Sequence, residues 1–238
     1  IAKNRSSELI IAISTLDGES LRKLTRECRR NGVFCRIFPT FSDMLKKDVD
    51  IKNIDIKYLL KREPKDLDEP QIRRFISGKT ILITGAGGSI GAELTRQCIR
   101  YEAARLVLID HSEFNLYSLM EELSAGRIST RSCLMNVLTN GNLARIMREE
   151  RPSIVFHAAA YKHVPIMEEN PFEGIQNNVR GTIETARLAE VCGVEKFILI
   201  STDKAVRPTS IMGASKRIAE LYIQNLNAKS KTDFIAVR

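Results

Sequence analysis

From Lys79 onward, short apolar runs alternate with stretches of helical spacing, and the alternation continues to the last residues. The run `KTILITG` is β-branched and apolar and predicts a strand; residues 89–101 follow with helical spacing. `RLVLID` predicts a second strand before a helix over 113–124, and `TRSCLMN` a weaker strand before a helix over 139–150. `SIVFHAA` is a strand followed by one long helix over 171–192. `KFILIS`, a helix over 210–229 and the strand `FIAV` complete the series. Repeated strand–helix alternation of this kind gives an α/β fold, a doubly wound parallel sheet with helices on both faces.

The first third of the chain is less regular. `ELIIAIS` (8–14) predicts a buried strand, the following stretch places Leu21, Leu24 and Cys28 at helical spacing, and Asn31-Gly32 stops it. `VFCRIFP` (33–39) is a second strand, so a strand–helix–strand unit opens the chain. It is expected to be part of a smaller α/β domain, residues 1–62. Two prolines and many charges in `KREPKDLDEP` (61–70) point to a linker, 63–78. The regular α/β domain then occupies 79–238. The chain opens at Ile1 rather than a methionine and stops at Arg238 just after an apolar run, which suggests an excerpt of a longer protein.

Composition narrows the function classes. No apolar run is long enough to span a bilayer and no signal peptide opens the chain. The net charge of +8 is carried by scattered residues and short clusters such as `RECRR`, with no aromatic-interleaved basic stripe, so nucleic acid is not an expected partner. Five cysteines without a CxxC pair argue against a disulfide framework, and three dispersed histidines against a metal site. Reduced thiols in the cytosol are the expected state.

One motif carries the chemistry. `TGAGGSIG` directly follows the first strand of the large domain and opens its first helix, with Gly85, Gly88 and Gly91 spaced GxxGxxG. Glycines there permit a tight turn, close approach of the backbone to a pyrophosphate, and close packing of helix on sheet. The N–H groups at the helix start, around Ser89 and Ile90, then face the phosphates. Asp110 ends the next strand, about twenty residues on, where a carboxylate bonds the adenine ribose and repels a 2′-phosphate. NAD is therefore expected over NADP. His111, Asn136 and Val137 are further expected cofactor-binding residues, and Ala158 and Ala159 look like the small-residue wall on which the cofactor packs.

Together `TGAGGSIG`, `DHSEFNLY`, `HAAAYKHVPIMEENP`, `NNVRGT` and `STDKAVRPTSIMGASKR` resemble the CapD-like polysaccharide biosynthesis proteins. These are membrane-associated nucleotide-sugar 4,6-dehydratases, Rossmann-type short-chain dehydrogenase/reductase relatives of the extended type. The likeness is strongest to the UDP-N-acetylglucosamine 4,6-dehydratases of bacillosamine synthesis, and runs from about Lys79 to Arg238. It implies a UDP-sugar substrate, a homo-oligomer, and a parent protein anchored through a preceding segment at the cytoplasmic side of the bacterial inner membrane.

The resemblance also implies roles at the site. Met212 and Lys216 stand one helical turn apart, where many nicotinamide enzymes place a tyrosine and a lysine. A thioether cannot exchange a proton, but long dehydratases of this group share the methionine. The proton chemistry then falls to `STDKA`: Asp203 as acid for the C6 hydroxyl and Lys204 as base for the C5 proton, with Thr202 on the C4 hydroxyl. Asp203 needs an apolar site that raises its pKa, and Lys204 needs desolvation. Lys216 is expected to hold the nicotinamide ribose, and Lys162 and His163 to contact substrate or brace their loop. Where relatives have an acidic residue to hold adenine, this chain has Asn136. A nucleotide-sugar epimerase and a non-catalytic NAD-binding module are the competing readings.

Overall fold

A computed structural model of the chain describes residues 8–11, 18–37, 52–53, 67–124, 126, 128–139 and 141–238. Its contacts divide the chain after Leu67 into two units.

In the first unit β1 (Glu8–Ile11) runs parallel to β2 (Phe34–Ile37), and α1 (Gly18–Arg30) crosses between them. This is the expected strand–helix–strand unit; the outer ends of both expected strands, 12–14 and 38–39, lie outside the described residues. Asn31 ends α1 by donating its side-chain amide to the Glu27 carbonyl at 2.8 Å. Gly32 then turns the chain with φ +66°. β3 (Lys52–Asn53) pairs antiparallel with β2.

The second unit opens with a helix where the prolines and charges suggested linker. α2 (Glu69–Ile76) is capped by Asp68, whose carboxylate accepts from the Gln71 N–H at 3.1 Å, and Pro70 sits in its first turn. Proline is tolerated there because its missing N–H would be unpaired anyway. Ile76 enters the core at the far end.

Five parallel pairings then build a six-stranded sheet in the order β6-β5-β4-β7-β8-β9. The strands are β4 (Thr80–Thr84), β5 (Arg105–Asp110), β6 (Ser129–Leu134), β7 (Ile154–His157), β8 (Lys196–Ile200) and β9 (Asp233–Val237). Their side chains alternate between two cores. Leu82, Val107, Ile109, Val155, Phe197 and Leu199 pack on one face. Ile81, Ile83, Leu106, Leu108, Ile154 and Phe156 pack on the other. That double burial is why the strands read as unbroken apolar runs.

The helices between strands are α3 (Ser89–Arg100), α4 (Glu113–Leu123), α5 (Asn142–Glu150) and α9 (Ile211–Asn227). α5 starts three residues later than expected, because Gly141 precedes it in the left-handed region at φ +69°. The expected helix 171–192 is three pieces: α7 (Pro171–Ile175), a π turn (Gln176–Arg180) and α8 (Gly181–Val191). A further short helix, α6 (Val164–Glu169), precedes them. Strand order reverses between β4 and β7, and the crevice above that switch point is where such sheets bind ligands.

Candidate active site

Two cavities, of about 180 and 530 Å³, lie over this crevice and share Gly85, Gly88, Ala158, Ala160 and Tyr161. The smaller one takes in Asp110, His111, Asn136, Val137 and Ala159. The larger one takes in Ser89, Ile90, Gly91, Lys162 and His163. All the residues read from the sequence as cofactor-binding, except Lys216, therefore line one cavity or the other.

The glycine loop is shaped by close approach. A Cβ on Gly91 would lie 2.0 Å from the Gly85 carbonyl oxygen, so only glycine lets α3 start against the loop. Gly88 caps α3 with no side-chain hydrogen bond, which leaves first-turn N–H groups facing the cavities. This is the anion-binding end of a helix, with the dipole favouring negative charge. Asp110 is 6% exposed, and both of its oxygens are fixed: Oδ2 accepts from the Gly87 N–H and Oδ1 from the Ser112 N–H, each at 2.9 Å. Each oxygen keeps a second lone pair for a ribose hydroxyl. Asn136 Oδ1 accepts from the Leu138 N–H at 2.9 Å, which turns its amide NH₂ toward other partners. An uncapped helix N-terminus beside a held carboxylate is a donor set that fits a dinucleotide.

A buried polar chain runs beneath the loop after β7. His157 is fully buried, with Nδ1 2.7 Å from the Thr84 hydroxyl and Nε2 3.1 Å from that of Thr182. Thr182 donates its own proton to the Asn178 carbonyl at 2.6 Å. Its oxygen must therefore accept from His157, which assigns the Nε2–H tautomer and leaves Nδ1 to accept from Thr84. Burial, helped by the nearby Lys216 charge, pushes the imidazole pKa down to about 3. Asn178, in the π turn, clamps the backbone of Tyr161: Oδ1 accepts from its N–H at 2.8 Å and Nδ2 donates to its carbonyl at 2.9 Å. The same amide reaches Ser215 on α9 at 3.1 Å. π turns recur at functional sites because they re-aim side chains inward. None of His157, Asn178 and Ser215 was singled out from the sequence as a site residue. The `NN` pair in a helical run and a histidine closing an apolar strand were the available signals.

α9 presents Met212 and Lys216, both 4% exposed. Burial lowers the Lys216 pKa to about 8, against the opposing pull of Glu220 one turn on. Glu220 is itself 1% exposed and accepts from Arg238, Ser201 and Arg217, which hold its carboxyl down at about 2. Ser210 caps α9, and Glu168 from α6 accepts from the Ile211 N–H at 2.7 Å. A Cβ on Gly213 would lie 2.4 Å from the Lys204 carbonyl oxygen, so α9 starts hard against the `STDKA` turn.

That turn leaves two expected requirements unmet in the free chain. Asp203 begins a single 3₁₀ turn (Asp203–Ala205) just past β8, and its side chain is 84% exposed rather than buried. Hydrogen bonds from Thr202 (2.9 Å) and Lys204 lower its pKa, the opposite of what an acid working near neutral pH requires. Lys204 is 56% exposed and pairs with Asp203 at 3.3 Å, so the desolvation its base role needs is not supplied here either. The turn buries Ala205 and sets the Lys204 carbonyl against α9, and the Asp203 and Lys204 side chains are left on its solvent side. Thr202, Asp203, Lys204, Met212 and Lys216 line neither of the two cavities.

Residues 81–238 match the family described as polysaccharide biosynthesis protein. The chain belongs to this family. The capsular polysaccharide biosynthesis protein CapD of Staphylococcus aureus is 42% identical over 245 residues, which cover all of this chain and 41% of that protein. A UDP-N-acetylglucosamine 4,6-dehydratase (inverting) of Campylobacter jejuni is 31% identical over 168 residues, 69% of this chain and 49% of that one. The chain thus spans less than half the length of either relative. Among solved structures, Pen from Bacillus thuringiensis superimposes with a TM-score of 0.65 at 30% identity, covering 69% of this chain and 52% of the other. As a member of this family the chain carries the same doubly wound sheet as that neighbour. Among the described residues no helix is long and apolar enough to cross a membrane, and no cluster of three potential metal ligands occurs.

Proposed function

We propose that the chain is the cofactor-binding and catalytic part of an NAD-dependent 4,6-dehydratase of a UDP-sugar, UDP-N-acetylglucosamine foremost, serving bacterial polysaccharide or glycan synthesis. The observation that carries the reading is the glycine loop at the start of α3 with the buried Asp110 carboxylate beside it, lining a crevice fitted for a dinucleotide. The likeness to a dehydratase of that sugar supports the choice of reaction.

In this reading the first turn of α3 binds the pyrophosphate and Asp110 bonds the adenine ribose. Its fixed negative charge disfavours a 2′-phosphate, which favours NAD over NADP. Lys216 holds the nicotinamide ribose. NAD held there would supply a reversible hydride acceptor for oxidation at C4 and reduction at C6 of the sugar. The 4-keto group acidifies the C5 proton, and Lys204 takes it. Asp203 protonates the C6 hydroxyl, which leaves as water as the C5–C6 double bond forms. Both groups need to lose solvent when the sugar binds, since each is exposed in the free chain. Thr202 bonds the C4 hydroxyl, whose proton passes through the Thr202 hydroxyl to the Asp203 carboxylate 2.9 Å away as the hydride leaves, and this is the proton Asp203 then gives to the C6 hydroxyl.

A homo-oligomer attached to the cytoplasmic face of the inner membrane is the proposed setting of the parent protein. The test is substitution of the turn. Asp203→Asn and Lys204→Ala should abolish product while NADH binding, read by fluorescence, stays at the wild-type level. Undiminished turnover in both variants would remove the mechanism.

A further inference from the structure

The two cavities share Gly85, Gly88, Ala158, Ala160 and Tyr161, and this common lining is the waist between them. Across the smaller cavity His111 faces Tyr161, their ring centroids 6.2 Å apart at 79°, an edge-to-face contact. Neither backbone anchor is loose. Asn178 grips the N–H and carbonyl of Tyr161, and His111 lies between Asp110 and Ser112, which the Asp110 carboxylate ties together. The rings themselves are open to solvent: Tyr161 is 37% exposed and the His111 side chain 58%. Rigid anchors carrying exposed rings can part and close by side-chain rotation alone.

We propose that Tyr161 and His111 form an aromatic clasp over the waist, retaining the pyrophosphate-bearing middle of a bound dinucleotide against the glycine loop. The inference rests on the dinucleotide reading of the two cavities. A dinucleotide long enough to occupy both must pass its pyrophosphate between the glycine loop and this ring pair. Its exit then requires the edge contact to break. Such a device suits a reaction that returns its cofactor to the starting oxidation state each turnover, because release is never required. The ring of Tyr161, not its hydroxyl, is what closes the clasp.

The test is stopped-flow release of bound NADH from the purified protein into excess ADP-ribose, for wild type, Tyr161→Ala, Tyr161→Phe and His111→Ala. An aromatic contact of ordinary strength corresponds to release about two- to tenfold faster in Tyr161→Ala, with Tyr161→Phe close to wild type. His111→Ala should accelerate release in the same direction. Affinity for AMP, which lacks the part that crosses the waist, should fall less than that for NADH in Tyr161→Ala. Equal release rates in wild type and Tyr161→Ala would overturn the clasp and leave the cofactor reading standing. An equal loss of AMP and NADH affinity would also overturn it, by exposing a general disturbance of the loop. Failure of wild-type protein to bind either nucleotide would overturn the cofactor reading and the clasp with it.

Discussion

The Thr84 hydroxyl and His157 Nδ1 lie 2.7 Å apart, joining the ends of the two strands that flank the switch point. Since Thr182 occupies Nε2, the imidazole has no lone pair left for a proton. Its folded pKa of about 3 lies below the ordinary histidine value of 6.5. Between those values the unfolded chain binds a proton that the folded chain excludes. The stability held by neutral His157 is therefore complete above pH 6.5 and is lost as pH falls toward 3. His157→Asn should flatten the acid limb of the denaturant-midpoint profile across that window while lowering stability at pH 7. An unchanged acid limb would contradict the buried neutral assignment.

Lys216 makes the complementary case at alkaline pH. Its folded pKa of about 8 lies below the ordinary 10.5, so between those values the unfolded chain again binds more protons. Stability of the ligand-free protein should rise as pH increases through that window. Lys216→Met should abolish the rise and raise stability at pH 7 by on the order of 3 kcal/mol, since a buried charge is replaced by an apolar chain of similar length. The same variant should lose turnover if Lys216 holds the nicotinamide ribose. Urea titrations across the pH range, paired with product assays, check both halves.

Gly91→Ala would force the Gly85 carbonyl and the start of α3 apart, since the added carbon would lie 2.0 Å from that oxygen. Destabilisation of about 3 kcal/mol is expected, at the upper end for overpacking because the clash is with backbone. NADH binding should be lost with it. A thermal melt and a fluorescence titration measure the two effects.

Much of this site was legible in the sequence, and its parts failed for separate physical reasons. Gly85, Gly88, Gly91 and Asp110 declared themselves because each is required by backbone geometry or by charge at a fixed distance from a strand end. The central strands β4, β5, β7 and β8 declared themselves because both of their faces are buried. α2 was missed although Asp68 followed by Pro70 is a helix start; the surrounding charges masked it. The π turn was missed because a shifted hydrogen-bond register leaves helical spacing nearly intact over five residues. The exposure of Asp203 could not be read at all: solvent access at a strand end depends on what covers it, and local sequence does not encode that.

Asp110 tests the cofactor preference. Asp110→Ala removes the acceptor for the Gly87 and Ser112 N–H groups as well as the ribose contact. NADH affinity should fall by about tenfold or more, as expected for loss of charge-assisted hydrogen bonds, while discrimination against NADPH shrinks. A variant that keeps the wild-type preference for NADH would show that another group sets it.

Incubation of the full-length gene product with UDP-N-acetylglucosamine in D₂O, read by mass spectrometry, tests the central claim most directly. Loss of one water with a solvent deuteron placed at C5 is the predicted result, and would establish that elimination proceeds with Met212 where a tyrosine is usual. An unchanged skeleton epimerised at C4, or unaltered substrate beside bound NAD, would contradict it.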